Sequence, residues 1–300
     1  MKGELVNYQT KDGLKLTGFL AKSGKPSDKV LIHVFGMEGD FFQSNAYKPM
    51  QEKAENAGFD LFLSGNRGLG LLTSFNKKNK RVIIGTAKEN FKDCVFDISA
   101  SVSLLSKLGY SQIFISGHST GCQKIIYYNH VEKNNKLKGV ILISPVDDYN
   151  STVQDLGVKF KKAVSTARKM VQTGRGGEFT PKWISSYTAN RFLSYADHKN
   201  VEARILNYDS KLKEFSEIKC PVLSVFGSKD EYIVKPLRQC LKTLEKHSSS
   251  EFNWVVIKGG DHNFTGKEKQ LANVIFNWLD SITKRYPKTK HQKIIVTTTK

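Results

Sequence analysis

Gly117-His118-Ser119-Thr120-Gly121 sets a serine between two glycines, directly after the apolar run Ile113-Phe114-Ile115-Ser116 and directly before a stretch with helical spacing. A serine hydroxyl is a weak nucleophile until a base takes its proton. A glycine-flanked turn from strand to helix lets the chain bend sharply and hold such a serine in a strained conformation at the top of a sheet. The helix start then lies beneath the reacting centre, where unpaired N–H groups favour developing negative charge. At an elbow of this kind the partners follow in the order serine, acid, histidine. The apolar run Pro221-Val222-Leu223-Ser224-Val225-Phe226 leads into Gly227-Ser228-Lys229-Asp230-Glu231, which makes Asp230 the expected acid. Glu231 is the alternative, read as solvated or bonded to a loop. The last β-rich run leads into Gly259-Gly260-Asp261-His262-Asn263-Phe264, which makes His262 the expected base, its tautomer set by Asp230.

A tetrahedral intermediate requires two N–H donors. One is expected from the amide of Thr120, immediately after the serine. The other is expected from Gly36-Met37-Glu38-Gly39-Asp40, with Met37 the choice because its amide follows the glycine at a strand end. The remaining histidines fit the base less well. His33 lies in an apolar strand, His118 is expected to shape the elbow, His130 falls on a helix, and His198, His247 and His291 fall in polar loops or the tail. Asp93, Asp97 and Asp261 are read as structural.

These groups need a parallel sheet to carry them. Short runs rich in Val, Ile, Leu and Phe predict strands at 4–9, 14–21, 30–35, 60–64, 112–116, 139–144, 222–226 and 254–258. The first two form an antiparallel hairpin around Lys11-Asp12-Gly13. Helical patterns alternate with the others at 46–57, 90–108, 121–132, 236–246 and 267–284; in the second, Phe91, Cys94, Val95, Ile98, Val102 and Leu105 form one apolar stripe. The expected fold class is α/β, a mostly parallel eight-stranded sheet with helices on both faces. Residues 147–216 show no convincing strand, and a structureless loop of that length is improbable. A helical cap is predicted there, with helices at 153–173 and 181–193 around Gly174-Arg175-Gly176-Gly177. The expected division is core over 1–146, cap over 147–216, core over 217–284 and a basic tail over 285–300, where Ile294-Ile295-Val296 could pair on a strand edge. The basic runs at 77–81 and 159–162 are read as solvated faces.

Composition narrows the function. Of 300 residues, 39% are apolar and 25% charged, as in ordinary soluble domains. Cys94, Cys122, Cys220 and Cys240 form no CxxC pair, so neither a zinc knuckle nor a redox motif is expected, and no metal or cofactor enters the chemistry. The formal net charge is +19, yet Lys outnumbers Arg by 39 to 8, whereas recognition of phosphates and bases favours Arg. Nucleic acid is therefore not an expected partner; attraction of anionic substrates is a milder consequence of the charge. Met1-Lys2-Gly3-Glu4-Leu5 carries no apolar leader, and no run approaches the roughly 20 apolar residues of a membrane span. A cytoplasmic location is expected.

The Phe35-Gly36-Met37-Glu38-Gly39 loop, Gly65-Asn66-Arg67-Gly68, the Ser119 elbow and the Asp230 and His262 loops together resemble the α/β-hydrolase superfamily across nearly the whole chain. One departure is Phe35, which stands where the superfamily often has a histidine before the oxyanion-loop glycine. Ala189-Asn190-Arg191-Phe192-Leu193-Ser194 and Gly227-Ser228-Lys229-Asp230-Glu231-Tyr232 are similar to a narrower group of bacterial and fungal hydrolases that includes fungal siderophore esterases. That resemblance implies that Arg191 and Tyr232 approach a substrate; a cap salt bridge and a packed loop aromatic are the alternatives. The expected activity is hydrolysis of a carboxylic ester, or a related acyl bond, of a small to medium molecule through acyl-Ser119. A thioesterase, lactonase, amidase or peptidase would use the same groups. A ligand-binding protein of the same fold with little turnover is the rival of another class.

Overall fold

The computed structural model describes residues 1–42, 44–133 and 136–284. Eight strands form one sheet: β1 (Glu4–Gln9), β2 (Lys15–Ala21), β3 (Lys29–Val34), β4 (Asp60–Leu63), β7 (Gln112–His118), β8 (Leu137–Ile143), β9 (Val222–Gly227) and β10 (Phe252–Ile257). Their order is β1-β2-β4-β3-β7-β8-β9-β10. β1 and β2 are antiparallel to each other, and β2 is antiparallel to β4; from β4 to β10 every pairing is parallel. Alternate side chains point to opposite faces, so both faces of β3 must be covered: Val30 and Ile32 pack on one side and Leu31 on the other. The first face is closed by α2 (Cys94–Lys107), α3 (Thr120–Val131) and α8 (Leu237–His247), through Ile98, Val102, Ile125 and Leu244. The second is closed by α1 (Tyr47–Ala57) and α9 (Glu268–Lys284), through Met50, Leu271, Ile275 and Leu279. Each such side chain contributes roughly 1.5–3 kcal/mol by leaving water. The register sets Val34 beside Gly117 and Ile143 beside Val225, so the carboxyl ends of the parallel strands share one edge.

A second, two-stranded sheet, β5 (Ser74–Lys77) with β6 (Lys80–Ile83), occupies the segment read as a solvated basic loop. Lys78 and Asn79 take φ of 49° and 63°, the left-handed pair that closes a two-residue hairpin. The lysines there masked the alternation of half-buried Phe75 and Val82 with exposed neighbours.

Between β8 and β9 the described chain adds no strand to the main sheet. It forms α4 (Asp148–Leu156), α5 (Phe160–Gln172), α6 (Ala189–Ala196) and the short α7 (Glu202–Ile205). The helix predicted at 153–173 is two helices, broken at Gly157, whose φ of 50° and ψ of −128° end α4. The helix predicted at 181–193 starts only at Ala189. Pro181 opens a turn closed by the Ile184 amide, and the Thr188 hydroxyl caps α6 by accepting from the Arg191 amide. Ala163, Val164, Ala167 and Met170 of α5 then pack on Ala189, Phe192 and Tyr195. The tail, with Ile294-Ile295-Val296, lies outside the described residues.

Candidate active site

Loops leaving β3, β7, β8, β9 and β10 converge at the carboxyl edge of the sheet, where open α/β folds place their ligands. Ser119 stands between β7 and α3 with φ 55° and ψ −129°, a conformation an L-residue holds only when its surroundings enforce it. The glycines supply that enforcement. A Cβ on Gly121 would lie 2.3 Å from the Val34 carbonyl oxygen, and one on Gly117 would lie 2.3 Å from the Gly121 carbonyl oxygen. Any larger residue would push the elbow away from β3.

His262 Nδ1 lies 3.0 and 3.1 Å from the two carboxylate oxygens of Asp230. Neutral imidazole with its proton on Nδ1 donates to that carboxylate, which leaves Nε2 free to accept. Burial works to raise Asp230, but the hydrogen bond and charge of His262, with the Tyr232 amide at 3.1 Å, outweigh it and hold the carboxyl below its usual range. The loop carrying His262 is tied at three points. Its amide donates to Glu231 at 3.1 Å, and its carbonyl accepts from Ser144 Oγ at 3.0 Å and from His118 Nε2 at 2.9 Å. Burial, and then the charge of His262, push His118 down to about 4. Ser144, at the end of β8 with φ 48°, went unnoticed in the sequence, where a serine before a proline reads only as the end of a strand.

Thr120 opens α3, so its amide has no acceptor one turn back. The Met37 amide has no acceptor among the described residues. Gly36 brings the two loops together: a Cβ there would sit 2.9 Å from the Ser119 Cβ and 3.4 Å from the Thr120 amide nitrogen. The next residue, Glu38, is held through its amide, which donates to the Thr86 hydroxyl at 2.7 Å. Phe35 is buried against His33, Phe41 and Tyr47, so aromatic contacts fill the position before the Gly36 turn.

Ser119, His262, Thr120 and Met37 line one cavity of about 610 Å³, a size suited to a small molecule. Tyr232 lines it as well, its ring centroid 4.6 Å from that of His262. Arg191 does not reach the wall. Its side chain is fully buried, with Nη1 2.6 Å from Glu202 and Nη2 3.5 Å from Glu89, which also takes Lys124 at 2.8 Å. Arg67, in the loop after β4, is likewise internal and paired with Asp12, Asp93 and Asp97.

The charge of the cavity opposes that of the chain. Glu38, Asp40, Asp148 and Glu268 face it, and no Lys or Arg does among the described residues. Of these, Asp148 opens α4 and accepts from Gln123 Nε2 at 2.7 Å and Thr120 Oγ1 at 3.3 Å. Burial first, then the negative charge of Glu202, push it up to about 8. Nothing in the sequence marked Asp148, which reads there as an ordinary first-turn aspartate.

This sheet, with its elbow at the end of β7, is the α/β-hydrolase fold. Solved structures with the same architecture include Est1E from Butyrivibrio proteoclasticus, at 17% identity over 93% of this chain and 99% of that one, with a TM-score of 0.62. The carboxylesterase CesB from Bacillus subtilis is 15% identical over 95% and 92%, at 0.56, and a thermostable carboxyl esterase from Bacillus coagulans is 12% identical over 94% and 99%, at 0.64. The chain belongs to the family described as protein of unknown function DUF1749, which matches residues 85–283. No curated protein matches it.

Proposed function

We propose that the protein is a carboxylesterase-type serine hydrolase that cleaves a small to medium ester through acyl-Ser119, with residues 147–216 acting as a cap over the cavity. The observation that carries this reading is the His262–Asp230 bond at a cavity also lined by Ser119 in its enforced φ of 55°. His262 Nε2 takes the Ser119 proton as Oγ attacks the acyl carbon. The amides of Thr120 and Met37 hold the oxyanion, the imidazolium returns its proton to the leaving alcohol, and water then attacks the acyl-enzyme by the same route. Asp230, ionised across the working range, fixes the imidazole and stabilises its charged form. The esterases that share the fold add weight to this reading. Tyr187 supports the cap, because its hydroxyl donates to Glu38 at 2.8 Å and so joins the inserted segment to the loop after β3. Glu38, Asp40 and Glu268, with no Lys or Arg facing them among the described residues, favour neutral or cationic esters over anionic ones.

The test sets wild type beside Ser119→Ala on p-nitrophenyl acetate, butyrate and octanoate, with a neutral fluorophosphonate as covalent probe. Wild type should turn over the short esters and label. The variant should melt like wild type, fail to label, and lose about 10³-fold or more in rate. If wild type neither labels nor turns over, Ser119 is not an activated nucleophile and the protein is a binder.

A further inference from the structure

Asp148 presents a combination of contacts that the acyl-transfer steps leave unused. Its Oδ2 is anchored on the elbow helix by Gln123 Nε2 and Thr120 Oγ1. Its Oδ1 has no hydrogen-bond partner among the described residues, and the side chain is partly open to the cavity that holds Ser119. The anchor is rigid: Gln123 is itself buried, and Nε2 also donates to the Val146 carbonyl at 2.9 Å. One oxygen is thus fixed beside the residue whose amide would meet the oxyanion, and the other belongs to a side chain that lines the cavity.

We propose that Asp148 is a substrate-binding acid that works protonated, its Oδ1–H donating to an acceptor oxygen of the bound ester. This rests on the serine-hydrolase reading and narrows the substrate class to esters with a hydroxyl, ether or carbonyl oxygen beside the scissile group. The charged and titratable surroundings favour the neutral form. Glu202 on α7 and Asp147, which caps the start of α4, oppose ionisation, Arg191 on α6 favours it, and Tyr187 and Cys122 also face the group. With Asp148 pushed up to about 8, the carboxyl keeps its proton at neutral pH. Above that pH two things change together. The donor is lost, and a negative charge appears beside Thr120, where the oxyanion must form.

The experiment follows kcat/KM for a neutral short ester, and the rate of fluorophosphonate labelling, from pH 6 to 10 in wild type, Asp148→Asn and Glu202→Gln. Wild type should lose activity on the alkaline side, about tenfold per pH unit beyond the midpoint. Asp148→Asn keeps an N–H donor that cannot ionise, so its alkaline fall should vanish. Glu202→Gln removes a charge that opposes ionisation, so its fall should begin at lower pH. An alkaline fall shared unchanged by all three, or absent from wild type while labelling proceeds, overturns the role of Asp148. Failure of wild type to label at any pH strikes the serine-hydrolase reading instead. Should the Asn variant not fold, the Glu202→Gln shift decides alone, and a limb that stays in place rejects the proposal.

Discussion

His118 and His262 lie with ring centroids 4.9 Å apart, so a pH profile has two imidazoles to choose between. Burial, and then the charge of His262, hold His118 at about 4, which leaves it neutral above roughly pH 5 and silent in the neutral range. A general base must be unprotonated. Any acidic limb in the rate profile should therefore owe nothing to His118. His118→Ala frees the His262 carbonyl from one of its two side-chain donors and should lower kcat by about ten- to a hundredfold through misplacement of the ring. The limb should keep its midpoint, whereas His262→Ala should abolish the rate. A limb that vanishes with His118 while activity survives would reverse the assignment. The positions of Ser119, Asp230 and His262 were legible because each follows an apolar run and sits beside glycine. Asp148 and Ser144 carry no such mark. What distinguishes them is a contact made across 28 residues to Thr120, or across 118 to His262, and local sequence does not encode it.

At the scale of elements, the loop after β3 depends on a segment far from it in sequence. Thr86 Oγ1 accepts from the Glu38 amide at 2.7 Å and donates to the Gly68 carbonyl at 2.7 Å, while its own carbonyl accepts from Arg191 Nε at 3.2 Å. Arg191 thus bears on the Met37 amide through Thr86 rather than by touching the cavity. Thr86→Val keeps the shape but leaves the buried Gly68 carbonyl without its donor and the Glu38 amide without its acceptor, at a cost of about 1–3 kcal/mol in stability. Its kcat should fall by about ten- to a hundredfold with KM little changed if the Met37 amide is the oxyanion donor proposed above, because the loss then concerns that amide's position and not ground-state binding. Thr86→Ser should restore the rate. A pure KM effect, or no rescue by serine, would leave Thr86 a packing residue. The six parallel strands of the main sheet were readable because their apolar runs are largely buried on both faces, whereas the more exposed β1 and β2 were readable from the turn at Lys11-Asp12-Gly13. The inserted helices were read with their ends misplaced. Val153, Leu156, Phe160, Val164 and Ala167 continue one three- and four-residue spacing straight through Gly157, and only the cap at Thr188 and the turn at Pro181 fix where α6 begins.

For the molecule as a whole, the net charge of +19 and the acidic cavity act at different distances. Surface lysines attract anions from afar, but that field is screened beyond about 8 Å at physiological salt. Glu38, Asp40 and Glu268 act on a bound substrate at contact range, where salt screens less. Total charge alone points toward anionic substrates, whereas the distribution of charge around the cavity points away from them. An ester with a carboxylate on its acyl chain should show kcat/KM at least about tenfold below that of its neutral isostere, equivalent to roughly 1.4 kcal/mol of repulsion at the transition state. Raising salt should widen the gap, because it removes the long-range attraction first. An ester with a protonated amine at the same position should match or exceed the neutral one, and its advantage should shrink on Glu268→Gln. Matched esters assayed at 20 and 300 mM salt would decide the matter. If the anionic ester is the preferred one and salt abolishes its preference, surface charge governs selection and the cavity carboxyl groups do not.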